Sequence, residues 1–240
     1  IITGNSGNNI LLGWSGSYLD YANGTGTDTL IGGAGNDNYT VDSTNDRIIE
    51  ELNEGTDVVY SYASYTLSDN IENLGLTGTS SNHTNGTGNS LDNRITGTYG
   101  NNTLDGGTGD DTLLGYGGDD TYIVDSSNDI VTELDSEGAD LVLASVSFEI
   151  SSNVENLTLT GSNDINGTGN TSDNTLTGNS GNNTLDGGTG DDTLIGGTGN
   201  DTYVVDSSND IVTELDSQGT DTIQSSINFA ASSNVENLTL

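Results

Sequence analysis

Gly106 to Asp129 reads GGTGDDTLL, GYGGDDTYI and VDSSND in succession. Cut into nines, the stretch puts Asp111, Asp120 and Asp129 at the sixth place of consecutive rows, and Leu113, Tyr122 and Val131 at the eighth. The first six residues of a row are too rich in glycine for a helix or a strand, because glycine loses the most backbone entropy on ordering and is kept where the chain must turn. The last three carry a β-branched residue and a large apolar one, enough for a very short strand with one side chain pointing inward. Each row therefore predicts one turn and one short strand.

Two rows bring the chain back over itself, about 18 residues per coil, with strands stacking in parallel at roughly 4.8 Å. Rows two apart then share an edge, so Asp111 is expected beside Asp129 and above Asn93, and Asp120 beside Asn102. Stacked carboxylates repel by about 4 kcal/mol at contact distance near a protein surface. The chain holds 2 Lys plus Arg and 1 His against 37 Asp plus Glu, a net charge of −35, so it cannot neutralise them itself. A hard divalent cation can, and Gly-rich turns add backbone carbonyls to the carboxylates. Calcium suits six to eight oxygens in irregular geometry, whereas magnesium demands a tight octahedron.

The expected ligands are therefore the sixth-place acids and their counterparts: Asp28, Asp37, Asp46 and Asp57; Asp111, Asp120, Asp129 and Asp140; Asp192, Asp201, Asp210 and Asp221. Asp28 and Asp46 are expected to share an ion. Asp57, Asp140 and Asp221 close a Gly-x-Asp-x-apolar sequence that repeats the end of a row. The turn glycines Gly107, Gly109, Gly188 and Gly190 join the set. Asn102 and Asn183 take the acid's place as weaker, neutral ligands, an asparagine stacked in a metal-free turn being the alternative.

At these residues the chain resembles the RTX proteins, the hemolysin-type calcium-binding repeats with nonapeptide GGxGxDxUx. GGTGDDTLL at 106–114, GGTGDDTLI at 187–195, GGTGNDTYV at 196–204 and GGAGNDNYT at 32–40 fit it, and GYGGDDTYI departs at its second place. The resemblance implies a parallel β-roll whose turns bind calcium, in bacterial proteins exported by a type I pathway.

Composition alone points the other way. With 35 Gly, no Pro, no Cys and 30% apolar residues, an ordinary core is hard to build, and the acidity favours disorder unless a ligand supplies stability. Without cysteine there is no disulfide framework. No apolar run approaches the roughly 20 residues of a membrane-spanning helix, and no signal peptide is visible. Strong acidity opposes binding to nucleic acid or anionic lipid. The chain starts inside a row and stops inside a repeat, which suggests a piece of something longer.

Long repeats contain the short rows. The tyrosines of NDNYTVD, DDTYIVD and NDTYVVD are Tyr39, Tyr122 and Tyr203, and the ENL triplets begin at Glu72, Glu155 and Glu236, so either alignment gives a period of 83 and then of 81. The predicted architecture is all-β, one continuous β-roll or β-helix solenoid over 1–240, with long repeats 1–93, 94–174 and a truncated 175–240. Relative to the other copies, the first carries an insertion at about 14–23, one row plus one residue, whose Trp14, Tyr18 and Tyr21 are read as filling a coil without calcium. From about 58 to 87 the glycines thin and apolar residues alternate with Ser, Thr or Tyr. This predicts half-buried strands in wider coils that lack the metal turn.

Other signals are weak. His83 stands alone, with no second His and no Cys for a transition-metal cluster or a triad. Paired acids such as Asp110 with Asp111 recur in every copy, unlike a unique catalytic pair, so no catalytic role is expected. Asn-x-Thr triplets at Asn82, Asn85, Asn156, Asn166 and Asn237 follow from composition. The expectation is a calcium-dependent structural module of a secreted bacterial surface protein, an extender, fibre or adhesin segment that folds on several Ca2+ ions outside the cell and stacks on its own copies end to end or side by side. The alternatives are an accessory module of a secreted enzyme or toxin, and a binding face for ice or carbohydrate.

Overall fold

A computed structural model describes residues 1–13, 26–78 and 83–240. The insertion at 14–23 and Asn82 lie outside the described residues. The rest forms two compact units, 1–132 and 133–240. Among the described residues all regular structure is strand, and no helix is long and apolar enough to cross a membrane.

In the first unit, Arg94–Thr96, Thr112–Leu114 and Ile130–Thr132 lie side by side in parallel, with Ile95, Leu113 and Val131 as direct partners. The intervening rows form the second face, where Leu104 of Thr103–Asp105 partners Tyr122 of Thr121–Val124. Each residue thus partners its equivalent two rows on, the coil expected from the nine-residue register. Thr112 and Leu114 are half-buried while Leu113 is sealed, and Ile95, Leu104 and Tyr122 are equally sealed. The core is therefore built from a column of large side chains on each face, the eighth-place residue of every row, joined by Val41, Val124 and Val205 where the strand runs one residue longer. Every row needs its eighth-place residue.

The first copy stacks at a different offset. Ile2–Thr3 pairs with Thr29–Ile31 and Ile10–Gly13 with Asn38–Val41, so that Ile2 partners Leu30 and Leu11 partners Tyr39. These steps exceed the two-row step by the length of the segment 14–23.

The Gly-poor tract 58–78 stays in the solenoid, as expected, yet its coils are not uniformly wider. The steps from Tyr39 to Val59 and from Leu74 to Ile95 are longer than two rows, whereas the step between them, from Val59 to Leu74, is shorter. This short coil dispenses with a Gly-Asp turn. Asn73 Nδ2 donates to the Asp57 carbonyl (3.0 Å) and Thr77 Oγ1 to the Ser61 carbonyl (2.8 Å), so side chains bond the coil below directly.

The second unit repeats this order by itself. Val142, Leu157, Leu176, Leu194 and Val212 partner in succession along one face, with the short step first and two-row steps at the end. On its other face Leu185, Tyr203, Ile223 and Leu238 stack by a two-row step, a longer one and again a short one. The coil after ENL runs from Leu74 to Ile95 in the first unit and, shorter by two, from Leu157 to Leu176 in the second. That difference accounts for the change of long period between successive copies.

Because the eighth-place side chain is sealed inside its coil, truncating it leaves a cavity that nothing fills. Leu113→Ala is expected to cost about 2–5 kcal/mol of folding stability. Ile130→Ala, at a position 55% exposed, should stay within about 0.5 kcal/mol of the parent. Urea denaturation of the two variants at fixed millimolar calcium checks the contrast.

Candidate metal centre

Each Gly-rich turn delivers its sixth-place acid to one buried edge. Gly109 has φ 142° and Gly190 has φ 139°, and a side chain on either would press to within 2.6 and 2.7 Å of the carbonyl oxygens of Leu91 and Ser172 in the coil below. Only glycine lets the two backbones approach this closely. Gly107 and Gly188 share the left-handed conformation, at φ 84° and 83°.

The acids then form ladders. Asn93 N donates to Asp111 Oδ1 (2.7 Å), and Asp111 N donates to Asp129 Oδ1 (2.8 Å). On the opposite edge Asn102 N donates to Asp120 Oδ1 (2.6 Å). The second unit gives Asn174 to Asp192 to Asp210 (2.8 and 3.0 Å), and Asn183 to Asp201 to Asp221 (2.7 and 2.8 Å). Near the start, Asp28 N donates to Asp46 Oδ1 and Asp37 N to Asp57 Oδ1, each at 2.8 Å. The stacking read from the register, Asp111 beside Asp129 and Asn93, is thus the observed neighbourhood.

A backbone N–H between successive carboxylates settles one oxygen of each. What happens to the other divides the acids into two kinds. Asp37, Asp57, Asp111 and Asp201 are each 1% exposed and leave Oδ2 buried without a hydrogen-bond partner. Asp46, Asp129 and Asp210 instead turn Oδ2 back onto their own D-S-x-N-D turn, where it accepts from the backbone N–H groups three and four places earlier. For Asp129 these are Ser126 N at 3.1 Å and Asp125 N at 3.2 Å. Such rungs carry charge and leave no oxygen bare.

The structure also brings in acids that the sequence reading did not name as site residues. Glu72, Glu155 and Glu236 continue the ladders into the ENL strands, each Oε2 accepting from the backbone N–H of Asp57, Asp140 or Asp221 at 2.8 Å. Glu50 and Glu214, only 6% exposed, also enter the turns. The triplets were visible as a period marker. Their role depends on the short coil, which no motif announces.

The electrostatics follow from burial. Burial is the largest influence on Asp111 and, with the charge of Asp129, outweighs the lowering effect of the Asn93 N–H, so its carboxyl rises to about 6. Asp57, Asp192 and Asp201 rise to about 6 for the same leading reason, and Glu50 to about 8, where Asp57 and Asp37 add to burial. The donor set fits a hard cation: buried carboxylate oxygens, of which Asp37 Oδ2, Asp57 Oδ2, Asp111 Oδ2 and Asp201 Oδ2 are unsatisfied.

These acids have folded pKa values above the unfolded one of 3.8 (4.5 for Glu50), so the metal-free fold prefers them protonated. Their contribution is fully present below about pH 4 and is lost as pH rises through 6 to 8. Without divalent ions, the β signal in far-UV circular dichroism is therefore expected to be larger at pH 4 than at pH 8. Saturating calcium should reverse that order, because ligation requires the ionised form.

Comparison with known proteins agrees with the donor chemistry. The family described as RTX calcium-binding nonapeptide repeat matches in 4 copies, at residues 1–18, 24–48, 87–131 and 168–203, more than half of the chain. The chain is also similar to the endo-1,3-1,4-beta-glycanase ExsH of Rhizobium meliloti (strain 1021), 42% identical over 72 residues. That match takes in 30% of this chain and 15% of the glycanase's own length. With matching rows across both units and sixth-place acids on buried edges, the chain belongs to the RTX calcium-binding nonapeptide repeat family.

Proposed function

We propose that this chain is a calcium-set structural module of a secreted bacterial surface protein, an extender, fibre or adhesin segment without catalysis of its own. The observation that carries the reading is the set of buried carboxylate oxygens left without partners at the Gly-rich turns of a chain with net charge −35. Against a core this narrow, such oxygens are a cost that bound cations would offset.

Several parts of the chain prepare for the ion. The turn backbones bring their carbonyls to the edge, the N–H of the coil below aligns each carboxylate, and the eighth-place side chain fixes the coil. Asp111, Asp120, Asp192, Asp201 and their ladder neighbours are the residues proposed to hold calcium, with Asn102 and Asn183 as neutral rungs. Bound calcium supplies the positive charge that the chain itself lacks. Ligands that are scattered in the unfolded chain are assembled only in the coil, so binding free energy becomes folding free energy. Millimolar extracellular calcium suits sites with dissociation constants on the order of 10⁻⁴ to 10⁻³ M. The module is proposed to stay unfolded inside the cell and to set outside, where strands at the end of a coil stack offer unpaired edges to further copies.

A second reading is favoured by one observation, the 42% identity to a stretch of a glycanase. On that reading the chain is an accessory module of a secreted enzyme. The complete gene product separates the two: further long repeats of this kind support the fibre, and an adjoining catalytic domain supports the accessory role.

Chelating calcium from the folded chain is expected to convert its β-type far-UV circular dichroism to that of a disordered chain, and restoring millimolar calcium to recover it. A β signal indifferent to chelation refutes the proposal. Asp111→Asn removes a buried charge and keeps the shape. It should raise the calcium concentration at half-folding, about tenfold if 1.4 kcal/mol is lost.

A further inference from the structure

The last Gly-rich turn before the Gly-poor coils holds a group of oxygens that the nine-residue motif does not make by itself. Asp37, Glu50 and Asp57 each offer a carboxylate oxygen, all within 4.8 Å of one another, and in the second unit Asp201, Glu214 and Asp221 do the same. All six residues are at most 6% exposed. A tyrosine two places after the first acid aims into each group. A methyl group placed on Gly32 would strike Tyr39 Oη, Asp37 Oδ2 and Glu50 Oε1 together. One placed on Gly196 would meet Tyr203 Oη, Asp201 Oδ2 and Glu214 Oε1. Tyr39 is fully buried and its hydroxyl has no hydrogen-bond partner, while the Tyr203 hydroxyl donates to Glu214 Oε1.

The remaining valences of these acids are used by the chain. Asp37 Oδ1 accepts from Asn9 N, and Asp57 Oδ1 from Asp37 N. What is left over is Asp37 Oδ2, Asp57 Oδ2 and the Tyr39 hydroxyl, all without partners, and the Glu50 carboxyl, beside which lies only a further acid, Glu54. In the second unit Asp201 Oδ1 and Asp221 Oδ1 accept from Asn183 N and Asp201 N, leaving Asp201 Oδ2 and Glu214 Oε2 bare. Two separate stretches of sequence, with their three acids at identical spacing, bury the same oxygen set. Three carboxylates and a phenol, with neither nitrogen nor sulfur, suit a hard cation that accepts irregular oxygen geometry.

We propose that Asp37, Glu50 and Asp57 with the Tyr39 hydroxyl, and Asp201, Glu214 and Asp221 with the Tyr203 hydroxyl, each hold one calcium ion in a junction site that the nonapeptide alone does not encode. The inference rests on the calcium-dependent reading of the module and adds a task to it. The same residues carry the next coil: Asn70 Nδ2 donates to the Glu50 carbonyl (2.9 Å), Asp57 N to Glu72 Oε2 (2.8 Å) and Asn73 Nδ2 to the Asp57 carbonyl (3.0 Å). Asn234, Glu236 and Asn237 repeat these bonds at Glu214 and Asp221. The junction ion thereby orders the ENL coils, which have no Gly-Asp turn of their own.

The test is a count of bound calcium on the full chain by equilibrium dialysis at saturating calcium, for the parent, Glu50→Gln, Glu214→Gln and the double variant. Each single variant is expected to bind one ion fewer per chain and the double variant two fewer, with the β signal of the nonapeptide rows retained and only the share of the ENL coils lost. An unchanged count in variants of a calcium-binding parent overturns the junction sites alone and makes each Glu a buried neutral acid. A parent that binds no calcium overturns the module reading as well. Should the Gln variants fail to fold, Tyr39→Phe and Tyr203→Phe, which remove no charge, decide the matter with terbium as probe. Tyrosine-sensitised terbium emission should fall in each, and undiminished emission in both overturns the sites.

Discussion

A buried carboxylate with two oxygens in different circumstances governs this structure. One oxygen receives a backbone N–H from the coil below and so ties consecutive coils together, as Asp111 does for Asn93. The other faces the Gly-rich turn and, at Asp37, Asp57, Asp111 and Asp201, meets no donor. The arrangement needs the columns of eighth-place side chains for its geometry, and every orphaned carboxylate oxygen is a cost set against the apolar surface those columns bury. On the proposed calcium-dependent reading a disordered composition and a defined fold are compatible: the register specifies the structure, and bound ions supply the free energy.

Register is held by polar ladders as well as by the core. At the sixth place the lower coil donates to the upper carboxylate. At the fifth place the direction reverses: Asp110 N donates to Asp92 Oδ1 (2.9 Å) and Asp191 N to Asp173 Oδ1 (2.8 Å), upper coil to lower. Adjacent residues of one turn thus bond its neighbours in opposite senses. A slip by one residue would exchange the two ladders and turn a half-buried Thr or Leu inward in place of Leu113. Asp110, outward at the fifth place, also accepts from Ser126 Oγ (2.8 Å) and Asn128 Nδ2 (3.1 Å). Its exposed face is itself part of the stacking.

Much of this was legible in the sequence because each row has one apolar and one acidic place, and two places at a fixed spacing define a coil. The two-row offset, the inward Leu113 and Tyr122, and the company of Asp111, Asp129 and Asn93 all follow from that spacing. The short coil did not, since a tract of alternating Ser, Thr and apolar residues announces strands without saying how far apart their partners lie. Glu72 and Glu50 were missed for the same reason. A ligand or ladder role set by the coil offset is invisible until that offset is known. The closed turn at Asp129 had a signal, the D-S-x-N-D pattern in which an acid reaches back to its own backbone.

That pattern explains where the bare oxygens are placed. Asp129 gives Oδ1 to Asp111 N and Oδ2 to its own turn, so beside Asp111 it presents negative charge without a second orphan atom. Asp46 and Asp210 do the same beside Asp28 and Asp192. Each such row follows the Gly-rich rows and precedes the Gly-poor coils. Had it carried another Gly-Asp turn, one more unsatisfied oxygen would sit against a coil with no opposing turn to share an ion. A self-satisfied acid ends that edge of the ladder without such a cost, while Glu50 and Glu214 deal with the other edge by adding a carboxylate instead of removing one. Within each unit the two edges thus meet the same boundary by opposite means.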